Sequence, residues 1–175
     1  MAIHLTIYRL PAAGLARALS GGYDAFAAGT VDRDGNPLPG TALRLYSDWD
    51  CLWFSVDPLG RRVLGRWDAG AAATAATSAV VGRRRVPDGL GRPADAPLDA
   101  LRWNTSEDVA LALGALVGLP TPLPPSTETP TEAGVYQAHR CPDPGSRSAS
   151  TGVERLRAFY EATAGRGGGT LHALD

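Results

Sequence analysis

The clearest hydrophobic pattern in the chain directly precedes Asp57. Four apolar residues recur at the i, i+3, i+4, i+7 spacing of one helix face, namely Trp49, Leu52, Trp53 and Val56. A strand would instead align Leu52, Phe54 and Val56 on one face. Ser47 followed by Asp50 is an acidic form of the capping box, with Asp48 and Asp50 in the first turn, where the helix dipole favours negative charge. This second signal favours the helix, which we predict to begin near Ser47.

A second helix is predicted where Thr105 precedes an apolar run. Asp108 lies at its third helical position and completes a capping box. Gly118 and Pro120 are typical residues for its end. The predicted apolar stripe of this helix consists of Val109, Leu113, Leu116 and Val117.

A third capping box, Thr151 with Glu154, predicts a helix near the C-terminus. Its predicted apolar face consists of Val153, Leu156, Phe159 and Tyr160. Gly165 is expected at the C′ position that follows the helix. The glycines at 167–169 then predict a turn, and Thr170 to Leu174 predict a closing strand.

The N-terminal part of the chain begins with a strand pattern. Residues Ile3 to Tyr8 include β-branched and aromatic side chains. Pro11 suits the first turn of a short helix, which Gly21 and Gly22 would end. The predicted apolar stripe of that helix consists of Leu15, Ala18 and Leu19. Residues 32–40 are dense in turn formers and predict a loop.

Three later stretches are less regular. Residues 67–81, rich in Ala and Thr, predict a helix that leads into a short strand. Residues 83–97 predict a loop. Five prolines in residues 119–134 predict a flexible connection rather than a core element.

These elements together predict an α+β fold in a single domain spanning residues 1–175, with a small mixed sheet flanked by three to five helices. A chain of 175 residues is long enough to bury a substantial core. The 21 glycines and 14 prolines predict long irregular connections.

Charge and composition exclude several classes of partner. The formal net charge of −1 gives no electrostatic reason to bind nucleic acid or an anionic membrane. No signal peptide and no transmembrane stretch is recognised. Cys51 and Cys141 are consistent with a reducing cytoplasm, although a disulfide between them stays possible. We predict a cytoplasmic protein, and the use of arginine without any lysine indicates a GC-rich, bacterial source.

The order of these segments resembles that of a known family. The segments are Met-x-x-x-Leu-x-x-Tyr-Arg at the N-terminus, Asp48-Trp49, the Thr105-Ser-Glu-Asp-Val helix, and the terminal helix Glu154-Arg-Leu-Arg-Ala-Phe-Tyr-Glu-Ala. They resemble the YfbM-like bacterial family, a domain of unknown function, over most of the chain. The resemblance implies a compact α+β fold and no agreed activity. Members of the family usually carry histidine where this chain has Asp50 and Trp53, and residues 119–130 resemble an insertion. Any chemistry of those histidines is then lost here or transferred to a carboxylate.

Carboxylates near the first predicted helix are the main candidates for catalysis. Asp50 and Asp48 could serve as general acid and base, but side chains two positions apart on a helix point in different directions. A dyad therefore needs a converging partner, such as Asp57 or Asp68. The competing interpretation is that both acids only stabilise the helix start, worth about 0.3–1 kcal/mol per charge.

Aromatic residues around the same segment predict a ligand-binding recess. Its predicted lining consists of Tyr46, Trp49, Trp53, Trp103 and Tyr136. Pockets are lined mainly by apolar and aromatic side chains, so an aromatic-acidic recess would suit a small molecule or a protein partner. Packing of the tryptophans, Trp67 included, in the core is the favoured competing interpretation.

Other candidate sites are weaker. His139 and Cys141 resemble a fragment of a metal site, but structural zinc needs four ligands, so we predict no metal and no cofactor. His139 is also the sequence-local base for a cysteine nucleophile, although no catalytic signature surrounds either cysteine. The arginines at 83–85 are more typical of a solvated turn than of an anion site. The glycines at 165–169 do not follow a strand and open a helix, as a phosphate loop would.

Two functional hypotheses follow. The first is a non-catalytic or accessory binding protein that uses the aromatic-acidic recess. The second is a small cofactor-independent cyclase, isomerase or hydrolase of bacterial specialised metabolism. That enzyme would use Asp48 or Asp50 as general acid–base, assisted by His139 or Tyr136. A third possibility is a protein partner bound on an exposed apolar patch. The oligomeric state is not indicated by the sequence.

Overall fold

The computed structural model describes residues 4–20, 38, 40–46, 48–64, 74–85, 101–142 and 146–174. Five strands lie in this part of the chain: β1 (Leu5–Leu10), β2 (Ala42–Leu45), β3 (Arg84–Arg85), β4 (Leu101–Asn104) and β5 (Gly169–Leu174). They form one sheet in the order β2-β1-β5-β4-β3. Every pair of neighbouring strands is antiparallel, so the expectation of a mixed sheet is corrected to an antiparallel one.

Six α-helices accompany the sheet within the described residues, one more than the upper end of the predicted range. They are α1 (residues 12–20), α2 (Trp49–Val56), α3 (Pro58–Leu64), α4 (Ala75–Val81), α5 (Ser106–Val117) and α6 (Arg147–Ala164). A short 3₁₀-helix spans Ala138–Arg140. The predicted α+β fold class is confirmed. No helix within these ranges is long and apolar enough to cross a membrane.

The two faces of the sheet carry separate cores. Tyr8 pairs with Leu171, which in turn pairs with Trp103, and this face packs against Leu15 and Ala18 of α1. The neighbouring positions of the same strands face the other way, because side chains alternate along a strand. On that second face the larger core joins the sheet to α2, α4, α5 and α6.

Local signals located α5 well. Its capping box is present as predicted: the Thr105 hydroxyl accepts from the Asp108 N–H, and the Asp108 side chain accepts from the Thr105 N–H. The predicted apolar stripe is wrong at one position, because Val117 is 59% exposed. Ala112 is buried instead, between Val109 and Leu116 on the same helix face.

The start of α6 differs from its prediction. The helix begins at Arg147, and the Ser146 hydroxyl caps it by accepting from the Ala149 N–H at 3.2 Å. The Thr151 hydroxyl lies inside the helix and donates to the Arg147 carbonyl, so it cannot act as a cap. Gly165 is the C-cap residue in a right-handed conformation rather than the C′ residue. The left-handed turn comes two residues later, at Gly167 with φ +60°.

Two segments that were predicted to be loops contribute to the sheet or to the core. Arg84–Arg85 forms strand β3, where a loop was predicted, because it pairs with Trp103 and Arg102 of β4. Residues 119–134 contain no helix or strand, as expected, but Leu123 is buried in the larger core. The flexibility of that segment stays a prediction. The predictions for residues 3, 21–22, 32–37, 39, 47, 67–73 and 86–97, with Trp67 and Asp68, lie outside the described residues.

Candidate functional site

Asp50, the main catalytic candidate, lies in a buried ion pair at the start of α2. Only 4% of the Asp50 surface is exposed to solvent. The Arg61 guanidinium donates from Nε to Asp50 Oδ1 at 2.7 Å and from Nη2 to Asp50 Oδ2 at 2.8 Å. Two parallel hydrogen bonds between a guanidinium and a carboxylate are the strongest geometry for such a pair. The prediction that Asp50 completes a capping box is therefore wrong, and the N-cap residue Asp48 makes no side-chain cap bond either.

The Asp50–Arg61 pair also holds a distant part of the chain. Arg61 donates to the carbonyls of Ala133 and Gly134 at 2.7 and 3.0 Å. The Tyr136 N–H donates to Asp50 Oδ2 at 2.7 Å. A buried charge is tolerated when hydrogen-bonded partners surround it in this way. The pair thus connects α2 and α3 to residues 133–136.

Cys51, the next residue of α2, forms a disulfide with Cys141. The two Cα atoms are 5.3 Å apart and are separated by 90 positions in the sequence. Cys51 is buried beside Phe54 and Val135, whereas Cys141 is only half-buried. Neither sulfur is a free thiol, so the structure does not support a cysteine nucleophile with His139 as its base. His139 itself is exposed on the 3₁₀-helix.

Asp57, the proposed partner of an acidic dyad, is engaged elsewhere. Its carboxylate accepts from the Gly60 N–H at 2.9 Å, from the Thr77 hydroxyl at 2.7 Å and from the Thr74 hydroxyl. The Thr77 oxygen in turn accepts from Trp53 Nε1 at 3.0 Å. Gly60 has no room for a Cβ, because that atom would collide with Asp57 and Thr77. These contacts connect α3 and α4 to α2. The Asp57 carboxylate therefore does not pair with Asp48 or Asp50 as an acidic dyad would require.

The predicted aromatic residues separate into three environments. Trp49 and Trp53 are buried and stacked, with ring centroids 6.4 Å apart, which agrees with the core interpretation. Trp103 lies on the opposite face of the sheet, beneath Arg84 at 5.4 Å from its ring, so it does not join them. Tyr46 is 58% exposed.

The remaining candidates Tyr46, Asp48 and Tyr136 are each connected to the N-terminal part of α2. The Tyr46 carbonyl accepts from the Trp49 N–H at 3.2 Å, and Asp48 is exposed between them. Tyr136 is half-buried, and its backbone N–H donates to the Asp50 carboxylate in the first turn of α2. We call Tyr46, Asp48 and Tyr136 the α2 surface.

The arginines at 83 and 84 pair with Asp108 rather than forming an anion site. Arg83 Nη1 and Arg84 Nε lie 3.2 and 2.9 Å from its carboxylate oxygens. Burial by itself raises the pKa of Asp108, but hydrogen bonds from Arg84 and Thr105 outweigh it, so the pKa is lowered overall. The carboxylate therefore stays ionised and structural.

A polar cluster around His172 was missed by the sequence analysis. His172 Nδ1 lies 2.8 Å from the Val80 carbonyl, which assigns the proton to Nδ1 and makes Nε2 an acceptor. Nε2 faces the Thr170 hydroxyl at 2.9 Å and Asn104 Nδ2 at 3.3 Å. The pKa of His172 is lowered to about 3, mainly because the ring is buried; the hydrogen bond to Val80 raises the pKa, and the charge of Arg102 lowers it. The same burial raises the pKa of Tyr160, whose hydroxyl completes the cluster.

Only long-range pairing brings this cluster together. Asn104 and Thr170 are partners in the β4–β5 register, and Tyr160 comes from α6. The usable signal in the sequence was a histidine inside the predicted strand of residues 170–174. Within the described residues, no three histidine, cysteine, aspartate or glutamate side chains gather where they could hold a metal ion.

Comparison with known proteins concerns the fold. No family model matches the sequence, and no curated protein matches it either. The structure is similar to the crystal structure of YfbM from Escherichia coli, a protein of unknown function. The match covers 100% of both chains, with a TM-score of 0.56 and 15% sequence identity. At this identity the likeness shows the fold alone, and it confirms the resemblance that the sequence indicated: the chain has a YfbM-like α+β fold.

Proposed function

We propose that this protein is a non-catalytic binding protein that contacts a small molecule or a protein partner through the α2 surface. The observation that carries the proposal is the exposure of Tyr46, at 58% of its surface. Tyrosine is enriched among the residues that dominate binding energy, because it offers large contact area at a low cost in conformational entropy. Asp48 next to it is exposed and free of a capping role.

The position of Tyr46 is well supported for binding. It follows β2 directly, and its carbonyl accepts the first N–H of α2. Its ring packs edge-on against His4, with centroids 5.5 Å apart. A side chain that is held before the partner arrives loses less entropy on binding.

The chemistry of the α2 surface favours a planar or cationic group on the partner. The face of a tyrosine ring attracts cations, and the neighbouring Asp48 carboxylate adds an opposite charge. Tyr136, which is half-buried and whose backbone N–H binds Asp50 of α2, is the second aromatic residue of the proposed surface. The net charge of −1 agrees with our expectation that neither nucleic acid nor a membrane is the partner.

The enzyme hypothesis has less support. General acid–base catalysis needs a carboxylate within hydrogen-bond reach of substrate. Asp50 is buried, and three donors from Arg61 and Tyr136 already occupy its oxygens. Asp48 is accessible, but within the described residues no hydrogen bond or ion pair of its side chain brings a second acid or base to it. We therefore rank catalysis below binding.

We also make proposals about the source organism and the cellular location of the protein. We propose a bacterial source, which the absence of lysine among 17 basic residues supports, and a role in specialised metabolism. The proposed cytoplasmic location has to accommodate the Cys51–Cys141 disulfide, a bond that is uncommon in reducing compartments.

Thermal-shift measurements on matched variants test the binding proposal. The probes are aromatic amines, guanidinium compounds and neutral aromatic metabolites, offered to the wild type, Tyr46→Ala and Leu59→Ala. Leu59 is the control, because it is another highly exposed large side chain, on α3. We expect a probe that raises Tm for the wild type and Leu59→Ala but not for Tyr46→Ala. No shift with any probe, together with no protein co-purifying with the wild type, would contradict the proposal.

A further inference from the structure

Two neighbouring residues of α2 hold the same distant segment. Asp50 binds the Tyr136 N–H, and Cys51 is bonded to Cys141. The first contact is a hydrogen bond supported by an ion pair, and the second is covalent. Residues 137–140 lie between these two attachments and include the 3₁₀-helix. We call residues 137–142 the bridged segment.

The bridged segment begins with an unfavourable backbone conformation. Gln137 has φ +52° and is the one non-glycine residue with positive φ in the described ranges. The left-handed region is sparsely populated by residues that carry a Cβ. The Gln137 side-chain oxygen is also buried without a hydrogen-bond partner. The cost of the left-handed backbone and the cost of the buried amide oxygen both disappear if the segment moves away. We infer that the two attachments keep the segment in place in spite of these costs.

The two cysteines of the disulfide differ in burial. Cys141 is half-buried, whereas Cys51 is buried beneath it in the first turn of α2. An external thiolate therefore reaches the sulfur of Cys141 first. Cys51 is then the leaving sulfur, and its negative charge develops at the N-terminal end of a helix, where the dipole stabilises it.

From these observations we propose that the Cys51–Cys141 disulfide is a redox-controlled latch, which a dithiol reductant opens to release the bridged segment. One thiolate of the reductant attacks Cys141, the protein S–S bond breaks, and Cys51 leaves as a thiolate that takes up a proton. The second thiol of the reductant attacks the mixed disulfide and frees Cys141. The protein gains two electrons and two protons, and the reductant leaves as its own disulfide.

Release changes a defined surface. Phe54 is buried with Cys51 and Val135, and Ala138 and Cys141 pack against this group. Movement of the bridged segment removes the last two from this group and increases the exposure of Phe54, while Val135 stays in contact. The Asp50–Arg61 pair still holds residues 133–136, so the change stays local. This inference goes beyond the proposed binding role and does not depend on it.

Hydrogen exchange of the full chain tests the latch. The wild type is compared after oxidation and after treatment with dithiothreitol, with thiols counted in both states. We expect exchange in the bridged segment to become at least about tenfold faster on reduction, with β1, β5 and α5 unchanged. Two free thiols after oxidation, unchanged exchange on reduction, or faster exchange throughout the sheet would each overturn the proposal.

Two substitutions at Gln137 test the origin of the release. Gln137→Gly accepts the left-handed conformation, so its reduced form should exchange more slowly in the bridged segment than the reduced wild type. Gln137→Ala is the matched control, because it removes the amide but keeps the Cβ. Equal exchange in reduced Gln137→Gly and the reduced wild type would overturn the role of the backbone strain. Treatment with glutathione should place the adduct on Cys141, and an adduct on Cys51 would overturn the order of attack.

Discussion

The Asp50 carboxylate accepts two parallel hydrogen bonds from the Arg61 guanidinium, at 2.7 and 2.8 Å, in a site where both side chains are buried. Arg61 also donates to two backbone carbonyls, and Asp50 also accepts a backbone N–H. These contacts explain why a carboxylate can occupy a buried helix position among tryptophans. Through these hydrogen bonds the pair connects α2 and α3 to residues 133–136.

Replacing Asp50 by Asn should be strongly destabilising. The substitution leaves the Arg61 charge buried without its counter-charge, which costs about 3–5 kcal/mol in free energy of unfolding. The matched control is Asp48→Asn, two residues earlier and exposed, which should change that free energy by no more than about 0.5 kcal/mol. Urea unfolding of the two variants and the wild type measures both effects. Similar small losses in the two variants would show that the pair contributes little.

Thr77→Val should weaken the contact between α2 and α4 and so destabilise the protein. The Thr77 hydroxyl accepts from Trp53 Nε1 and donates to Asp57, so an isosteric apolar side chain removes both of these hydrogen bonds. We expect a loss of about 1–3 kcal/mol in free energy of unfolding. Thr151→Val on the exposed face of α6 is the control and should stay within about 0.5 kcal/mol of the wild type. Chemical denaturation compares them, and an equal effect at both sites would contradict the role of this hydrogen-bonded chain.

The pH dependence of stability should report His172. Its pKa is about 3 in the folded protein, against an ordinary value of 6.5 that the unfolded chain recovers. Between these values the unfolded chain binds the extra proton, so the free energy of unfolding falls as the pH is lowered below 6.5. The slope approaches about 1.4 kcal/mol per pH unit from this group alone. Below about pH 5, carboxylates such as Asp108, whose pKa is lowered in the fold, add to the loss.

Denaturant unfolding at several values between pH 5 and pH 7 measures this slope. His139→Gln is the control, because His139 is exposed and should leave the slope unchanged. His172→Asn should be less stable at pH 7 and should lose most of the dependence on pH in this range. A slope that survives in His172→Asn would assign the effect to another group.

Local patterns and distant contacts differ in how far the sequence reveals them. The capping box of Thr105 and Asp108 lies within four residues, and the helix it predicts is present. The period of Trp49, Leu52, Trp53 and Val56 likewise located α2, because helical spacing depends only on neighbours. The partner of Asp50 could not be predicted from neighbouring residues, because Arg61 lies 11 positions away in the sequence.

Arginine usage explains why that partner was hidden. All 17 basic residues are arginine, so the presence of one near Asp50 carries no information by itself. The His172 cluster is hidden for a different reason. Asn104 meets Thr170 and His172 only through the register of β4 with β5, and a sequence does not show strand register until the pairing is known.

Glycine substitutions in two contexts give a final prediction of opposite sign. Gly114 lies in the interior of α5, and a Cβ added there would meet nothing within 4 Å. Gly114→Ala should therefore stabilise the protein by about 0.5–1 kcal/mol, because alanine loses less backbone entropy in a helix. Gly82, the C-cap of α4, has φ +77°, and a Cβ there would lie 2.9 Å from the Cβ of Arg102. Gly82→Ala should lower Tm while Gly114→Ala raises it, and Tm changes of the same sign would show that the conformation of Gly82 or the open side of α5 differs in solution.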